Sequence, residues 1–271
     1  MNFDYIIDDD FLSFEDYTPG LVQGYDSSKF STKVKNIMSK TYEFFMNILR
    51  KIIDYCKMIA NDMTILPDIR KFTELVLVAD DLPTKLKNTV ESIKIGFNIT
   101  DSPENASKIN KIYFWIYSFI GVIHYFKDKD VCDSLKTALS SVKNVKMDSS
   151  DMTGTKLYNI YYHNIRPIMG DINETIKEAR RTTRIYEYKV SAKGCKYAVS
   201  NLRMFINLIY TLNRRTLYYY KRNKHKFVMG DEQIRLMNML NIGFIRLYQT
   251  IVSVSRFRKI LNKITEENKI K

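Results

Sequence analysis

Ser31–Met63 reads STKVKNIMSKTYEFFMNILRKIIDYCKMIANDM. Within it Val34, Met38, Thr41, Phe45, Ile48, Ile52, Tyr55 and Ile59 recur at spacings of four and three, and Ile37, Phe44, Leu49 and Cys56 widen the stripe. Side chains three and four residues apart share one side of an α-helix, so the spacing gathers the apolar groups on one face while Lys33, Lys40, Arg50 and Lys57 fall elsewhere. A half-buried strand would alternate at every second residue, and this stretch does not. A helix of this length must bury its stripe against other elements, and the rest of the chain is expected to supply them as helices.

Downstream, a short helix is expected from Pro67, a residue favoured in the first turn, to Ala79, and another from Pro83 to Ile95 with Leu86, Val90 and Ile93 on one face. Asp101-Ser102-Pro103-Glu104 combines cap residues, a first-turn proline and an early acid, and so predicts a helix start. That helix contains Ile112–Phe126, fifteen residues without formal charge that include the single tryptophan, Trp115. A membrane-spanning helix needs about 20 apolar residues; this run is shorter and carries Tyr113, Tyr117, Ser118, His124 and Tyr125, so it reads as a buried bundle helix. Val131–Val145 is amphipathic through Val131, Leu135, Ala138, Leu139 and Val142.

Met147–Gly154 (MDSSDMTG) is polar and closes on glycine, which marks a candidate boundary between two helical halves. Beyond it Lys156–Arg166 is expected to stop at Pro167, because proline disfavours helix in the residue before it. Asp171 with Glu174 resembles a capping box for a helix to about Val190. Ala198–Tyr220 and a long segment opened by Asp231 complete the set. With only 9 Gly and 5 Pro in 271 residues, turns are few. The predicted fold class is therefore all-α, a multi-helix bundle of long amphipathic helices behind a poorly structured acidic N-terminal arm. The expected organisation is an arm at 1–28, a helical half at 29–147 and a basic helical half at 154–271, the halves being separate or one continuous domain.

Charge is segregated along the chain. Residues 1–28 hold seven carboxylates and no Lys or Arg, for −7, interleaved with Phe3, Tyr5, Phe11, Phe14 and Tyr17. Residues 29–176 carry +4, and 177–271, with 22 Lys+Arg against 6 Asp+Glu, carry +16. Acidic–aromatic alternation without helical period reads as a flexible arm that docks on a basic surface, with Phe11, Phe14 and Tyr17 as candidate docking residues. In the basic third, Arg180, Arg181 and Arg184 form one group; Arg214, Arg215, Tyr218, Lys221, Arg222, Lys224 and Lys226 form another; Arg256, Arg258 and Lys259 form a third. On a continuous helix Arg214, Tyr218, Lys221 and His225 would share a face. Guanidinium and ammonium groups neutralise phosphates, and tyrosines stack on bases, so these residues are candidates for an anionic partner. The competing account is a solvated bundle rim whose long basic stems cover apolar surface.

His124, His163 and His225 stand without partners at ligand spacing, Cys56, Cys132 and Cys195 lie far apart, and no glycine-rich phosphate cradle is present. No catalytic residues, metal or cofactor are expected. The first ten residues are acidic where a secretory signal would be basic, so signal-directed secretion is not expected.

The order of an acidic segment (DDDFLSFEDY, residues 8–17) and a lysine-bearing amphipathic helix (KVKNIMSKTYEFFMNILRKIIDYCKMI, residues 33–59) resembles small virion-associated proteins of large tailed bacteriophages. The likeness covers about the first sixty residues and transfers no functional residue. It implies a non-enzymatic particle component, internal or capsid-associated, located in the virion or host cytoplasm. The expected partners are other structural proteins of the assembly and a nucleic-acid backbone bound without sequence preference, with oligomerisation allowed. The alternative is a membrane-associated helical protein using residues 31–63 or the 112–126 run.

Overall fold

A computed structural model describes residues 27–61, 64–227 and 231–267, except the side chains of 27–39, 226, 231–240 and 264–265. In chain order, α1 (Ser27–Asn61), α2 (Ile65–Phe72), α3 (Leu82–Gly96), α4 (Ala106–Phe126), α5 (Lys129–Asn144), α6 (Asp151–Ile160), α7 (Arg166–Arg181), α8 (Ala192–Arg222) and α9 (Asp231–Glu267) pack together as an all-α bundle, and the described residues contain no strand. The arm expected at 1–28 lies, but for its last two residues, outside the described part. No helix among the described residues is long and apolar enough to cross a membrane.

Of the α1 stripe, Phe45, Ile48, Leu49, Ile52, Cys56 and Ile59 are buried and Thr41, Phe44 and Tyr55 half-buried, with Met46 buried beside them; the side chains of Val34, Ile37 and Met38 lie outside the described residues. The helix packs on α8 and α9. The Tyr42 hydroxyl donates to the Tyr220 carbonyl at 3.2 Å, Phe45 meets the Tyr220 ring edge-on at 5.5 Å, and Tyr55 stacks on Tyr248 of α9 at 4.4 Å. Each fully buried side chain of this size contributes roughly 1.5–3 kcal/mol of transfer free energy.

α8 is the hub. It contacts α1, α2, α4, α5 and α6, and its inner side buries Cys195, Ala198, Leu202, Phe205, Ile209, Leu212, Tyr219 and Tyr220. Two buried amides on that side tie it to its neighbours. Asn201 donates through Nδ2 to the carbonyls of Phe126 and Asp128 at 3.0 and 2.9 Å, satisfying acceptors that the end of α4 leaves open. Asn213 accepts from the hydroxyl of fully buried Tyr161 at 2.6 Å. α4 and α7 approach closely at Gly121, where a Cβ would stand 2.7 Å from the Ile176 Cα.

Several expected boundaries shift. The helix after Pro67 begins at Ile65 and passes at Thr73 into a π turn ending at Leu77. α3 ends where Asn98 adopts a left-handed φ of 54° and the Ile99 amide donates back to the Lys94 carbonyl at 2.8 Å. The expected stop at Pro167 does not occur. α6 leads through a π turn at Tyr161–Ile165 straight into α7, so 151–181 forms one helical rod with Pro167 in the first turn after the wide segment. Proline removes one amide donor and crowds the preceding turn, and a π turn immediately upstream absorbs both effects. Asp171 accordingly sits inside α7 and does not cap a helix, and the rod ends at Arg181. The polar stretch at 147–154 divides between the α5–α6 connection and the first turn of α6, and helices from both sides of it share one hydrophobic core.

Candidate anion-binding face

The exposed side of α8 is a narrow stripe. Lys193, Lys196, Ser200, Arg203, Asn207, Arg214, Tyr218, Lys221 and Arg222 are its exposed residues from the second residue onward. At roughly 100° per residue they fall within about 100° of one another around the axis, opposite the buried face. The helix rises about 1.5 Å per residue, so the stripe runs for roughly 43 Å from Lys193 to Arg222. From Tyr188 to Gly230 the chain contains ten Lys and Arg and no Asp or Glu.

That composition has a structural consequence. Elsewhere several basic residues stand beside an acid three or four residues away: Lys57 with Asp54 at 3.4 Å, Arg70 with Glu74 at 2.9 Å, Lys136 with Asp133 at 3.0 Å, Lys177 with Glu174 at 2.7 Å. Among the described residues none of the six cations of the α8 stripe pairs with a carboxylate. Their contacts are aromatic. The Arg222 guanidinium lies 4.9 Å from the centre of the Tyr218 ring, and Lys193 lies 5.9 Å from that of Tyr197. Arg214 reaches the Tyr210 hydroxyl at 3.5 Å.

The candidates from the basic third separate into distinct places. Arg214, Tyr218, Lys221 and Arg222 share the α8 stripe. Lys224 lies just past its end, exposed, with its ammonium 5.2 Å from the centre of the Tyr42 ring. His225 does not continue the stripe, because the helix stops at Arg222 and Asn223 turns the chain into a short 3-10 segment. The side chain of Lys226 is outside the described residues, as are Phe11, Phe14 and Tyr17. Arg215 has a different job. Its guanidinium donates to the carbonyls of Lys143, at 3.1 Å, and Val145, bracketing the C-terminal end of α5.

Arg180, Arg181 and Arg184 are not part of the stripe. They end α7 and begin the connection to α8, whereas Arg214 lies about 33 Å along α8 from Ala192. Arg180 is laid over Phe114 of α4 at 3.7 Å and donates to the Ser118 hydroxyl at 2.9 and 3.2 Å. Burial, with the nearby charge of Arg246, lowers its pKa. Arg184 pairs with Glu187 at 3.4 Å, and Arg181 is exposed. Lys193, Lys196 and Arg203 belong to the stripe and were not among the residues singled out from the sequence. The acid-free run was the signal that could have found them.

A shallow depression of about 250 Å³ adjoins the C-terminal end of the stripe, lined by Met147, Asp148, Ser149, Tyr218, Tyr219, Arg222 and Asn223. Asp148 accepts from the hydroxyls of Ser150 and Thr153 and from the Ser150 amide, which holds its pKa at about 2. A carboxylate fixed in its ionised form makes this depression a poor anion site; the stripe beside it is the basic feature.

No group of three or more His, Cys, Asp or Glu residues is placed to hold a metal among the described residues. His124 is half-buried, 2.7 Å from the Lys127 ammonium, with burial and that charge lowering its pKa. Burial pushes the Cys195 thiol up to about 11 and Cys56 higher still, the opposite of what a nucleophilic thiolate requires. No family model, no curated protein and no solved structure gives a significant match to the chain.

Proposed function

We propose that this is a non-catalytic interaction protein whose α8 face binds the phosphate backbone of nucleic acid without reading its sequence, serving as a structural component of a phage particle. The second part rests on the resemblance of the first sixty residues. The observation that carries the first is the α8 stripe: six cations over about 43 Å, free of carboxylate partners in the described residues. Basic residues that only solubilise a bundle do so equally well beside acids, as on α1, α5 and α7. A row without acids leaves a continuous positive potential, which is what attracts a polyanion. An ordinary protein partner would want an apolar anchor, and the only large hydrophobic residue exposed on α8 is Tyr218, at 46%. The sequence carries no signature of a base-reading module, so contact with the backbone is expected.

The test is binding of the full-length protein to a random-sequence DNA duplex across a salt series. Four to six neutralised phosphates give a log–log slope of roughly −3.6 to −5.4, at about 0.9 per contact. Charge reversal along the stripe (K196E/R203E/R214E/K221E) is expected to lower affinity at least tenfold and to flatten the slope. Reversal of paired lysines elsewhere (K57E/K136E) is expected to change little. Absence of binding at low salt, or an equal loss from both sets of variants, would overturn the proposal.

A further inference from the structure

We infer that residues 1–26 of the chain dock on the exposed face of α8 in the same molecule, as a built-in competitor for the anionic partner. The inference rests on the same face as the function proposed above, and the two can fail separately.

Charge selects the surface. Residues 1–26 contain Asp4, Asp8, Asp9, Asp10, Glu15, Asp16 and Asp26 and no Lys or Arg. Lys57 on α1, Lys136 on α5 and Lys177 on α7 stand beside acids of their own helices at 2.7–3.4 Å, whereas α8 carries no Asp or Glu at all. A tethered acidic segment is therefore drawn to α8 in preference to helices that carry carboxylates of their own.

Geometry allows it. Tyr42 and Phe45 of α1 lie against Tyr220 near the end of α8. Further along α1, Cys56 is within electrostatic reach of Tyr161, which is hydrogen-bonded to Asn213 earlier in α8. The two helices thus run antiparallel, and the start of α1 at Ser27 lies past the C-terminal end of α8, about 22 Å beyond Tyr42. Returning from Ser27 to Arg203 covers roughly 48 Å by the same helical rise. Asp10 lies 17 residues before Ser27, and an extended chain of that length reaches about 56 Å. The triple Asp8-Asp9-Asp10 can therefore meet the middle of the stripe while Glu15 and Asp16 face Lys221 and Arg222.

Chemistry completes the fit. Phe11, Phe14 and Tyr17 alternate with these acids. The stripe presents Tyr218 with Arg222 over its ring, beside the depression lined by Met147 and Asn223. Arginine planes and tyrosine faces receive aromatic rings as readily as they receive bases. Tethering raises the effective concentration of such a segment to the millimolar range, so a weak intrinsic contact suffices for occupancy.

The experiment is zero-length carbodiimide cross-linking of the full-length protein at low salt, with the linked peptides of the monomer mapped by mass spectrometry. Carboxylates of residues 8–16 are expected to join Lys196, Lys221 and Lys224 in preference to Lys57, Lys87 and Lys136, which are also exposed. These links should vanish near 1 M salt, where the screening length is about 3 Å. In parallel, the full-length variant D8N/D9N/D10N/E15Q/D16N is expected to lose the links and to bind the random duplex about tenfold more tightly. F11A/F14A/Y17A, which leaves the charge unchanged, should give a smaller gain in the same direction. Links spread evenly over exposed lysines, or found only between molecules, would overturn the inference. Duplex binding that the acid-to-amide variant leaves unchanged would overturn it too, while leaving the proposed function standing. Links focused on α8 without any duplex binding would support arm docking and reject nucleic acid as the partner.

Discussion

Arg214 and Arg215 are neighbours in sequence and part company in space. One helical step of about 100° carries Arg214 onto the exposed stripe and turns Arg215 to its flank, where it holds the Lys143 and Val145 carbonyls. These acceptors belong to the last turn of α5, which has no helical donors left for them. R215A is therefore expected to lower stability by about 1–2 kcal/mol through the lost hydrogen bonds, read as a shift of the urea midpoint, with affinity for duplex DNA nearly unchanged. R214A should do the reverse. If R215A weakened DNA binding as much as R214A, Arg215 would belong to the face after all. Its position was partly legible in advance: Arg215 falls close to Leu208 and Tyr219 around the α8 axis, at the border of the buried side. Arg180 offered no such sign, because Phe114 and Ser118, which hold it, lie more than sixty residues away.

Among the elements, α4 and α7 approach closely, and Gly121 permits it. An added Cβ would stand 2.7 Å from the Ile176 Cα, 2.9 Å from the Ile176 nitrogen and 2.9 Å from the Thr175 carbonyl oxygen. All three are backbone atoms, which cannot swing aside as the tip of a flexible side chain does. G121A is expected to cost about 1–3 kcal/mol, the usual range for overpacking, or more, seen as a lower urea midpoint at unchanged slope. A midpoint equal to that of the parent chain would show that the two helices can separate without penalty. The helices themselves were legible from periodicity, since spacing of three and four residues is a local property of the chain. The π turn before Pro167 was not. Whether a proline ends a helix or is absorbed by a widened turn depends on what holds the flanking segments in place, here the packing of α7 on α4 and of Tyr161 against α8.

At the scale of the whole molecule, the bundle encloses ionisable groups that are stable only while protonated. Burial keeps the Tyr161 phenol well above its ordinary range. Burial also raises Tyr125 and Tyr220 to about 12 and Cys195 to about 11. Between the ordinary and the raised values the unfolded chain releases protons that the folded chain retains, so stability falls as pH rises. The decline is expected to begin near pH 9 through the thiols and to steepen above pH 10 through the phenols. For a fully buried group such as Tyr161 the slope approaches about 1.4 kcal/mol per pH unit once the unfolded phenol is ionised. Urea midpoints between pH 8 and pH 11 test this, with tyrosinate absorbance followed beside helicity. Complete phenolate formation near pH 10 with helicity intact would contradict it.

The chain by itself determined that the protein is a bundle of amphipathic helices and that its charge runs from an acidic beginning to a basic end. Both follow from residue order alone, helical periodicity being local and net charge additive. Tertiary structure decided which basic residues face outward together. It laid Arg180 over Phe114, paired Arg184 with Glu187, set Arg215 on the end of α5, and left uncovered the side of α8 on which helical spacing gathers Lys193, Lys196, Arg203, Arg214, Lys221 and Arg222. A side chain at the border of an apolar stripe faces water or a neighbouring helix according to which helix packs there. That choice is made by close approaches such as the one at Gly121, between residues far apart in sequence.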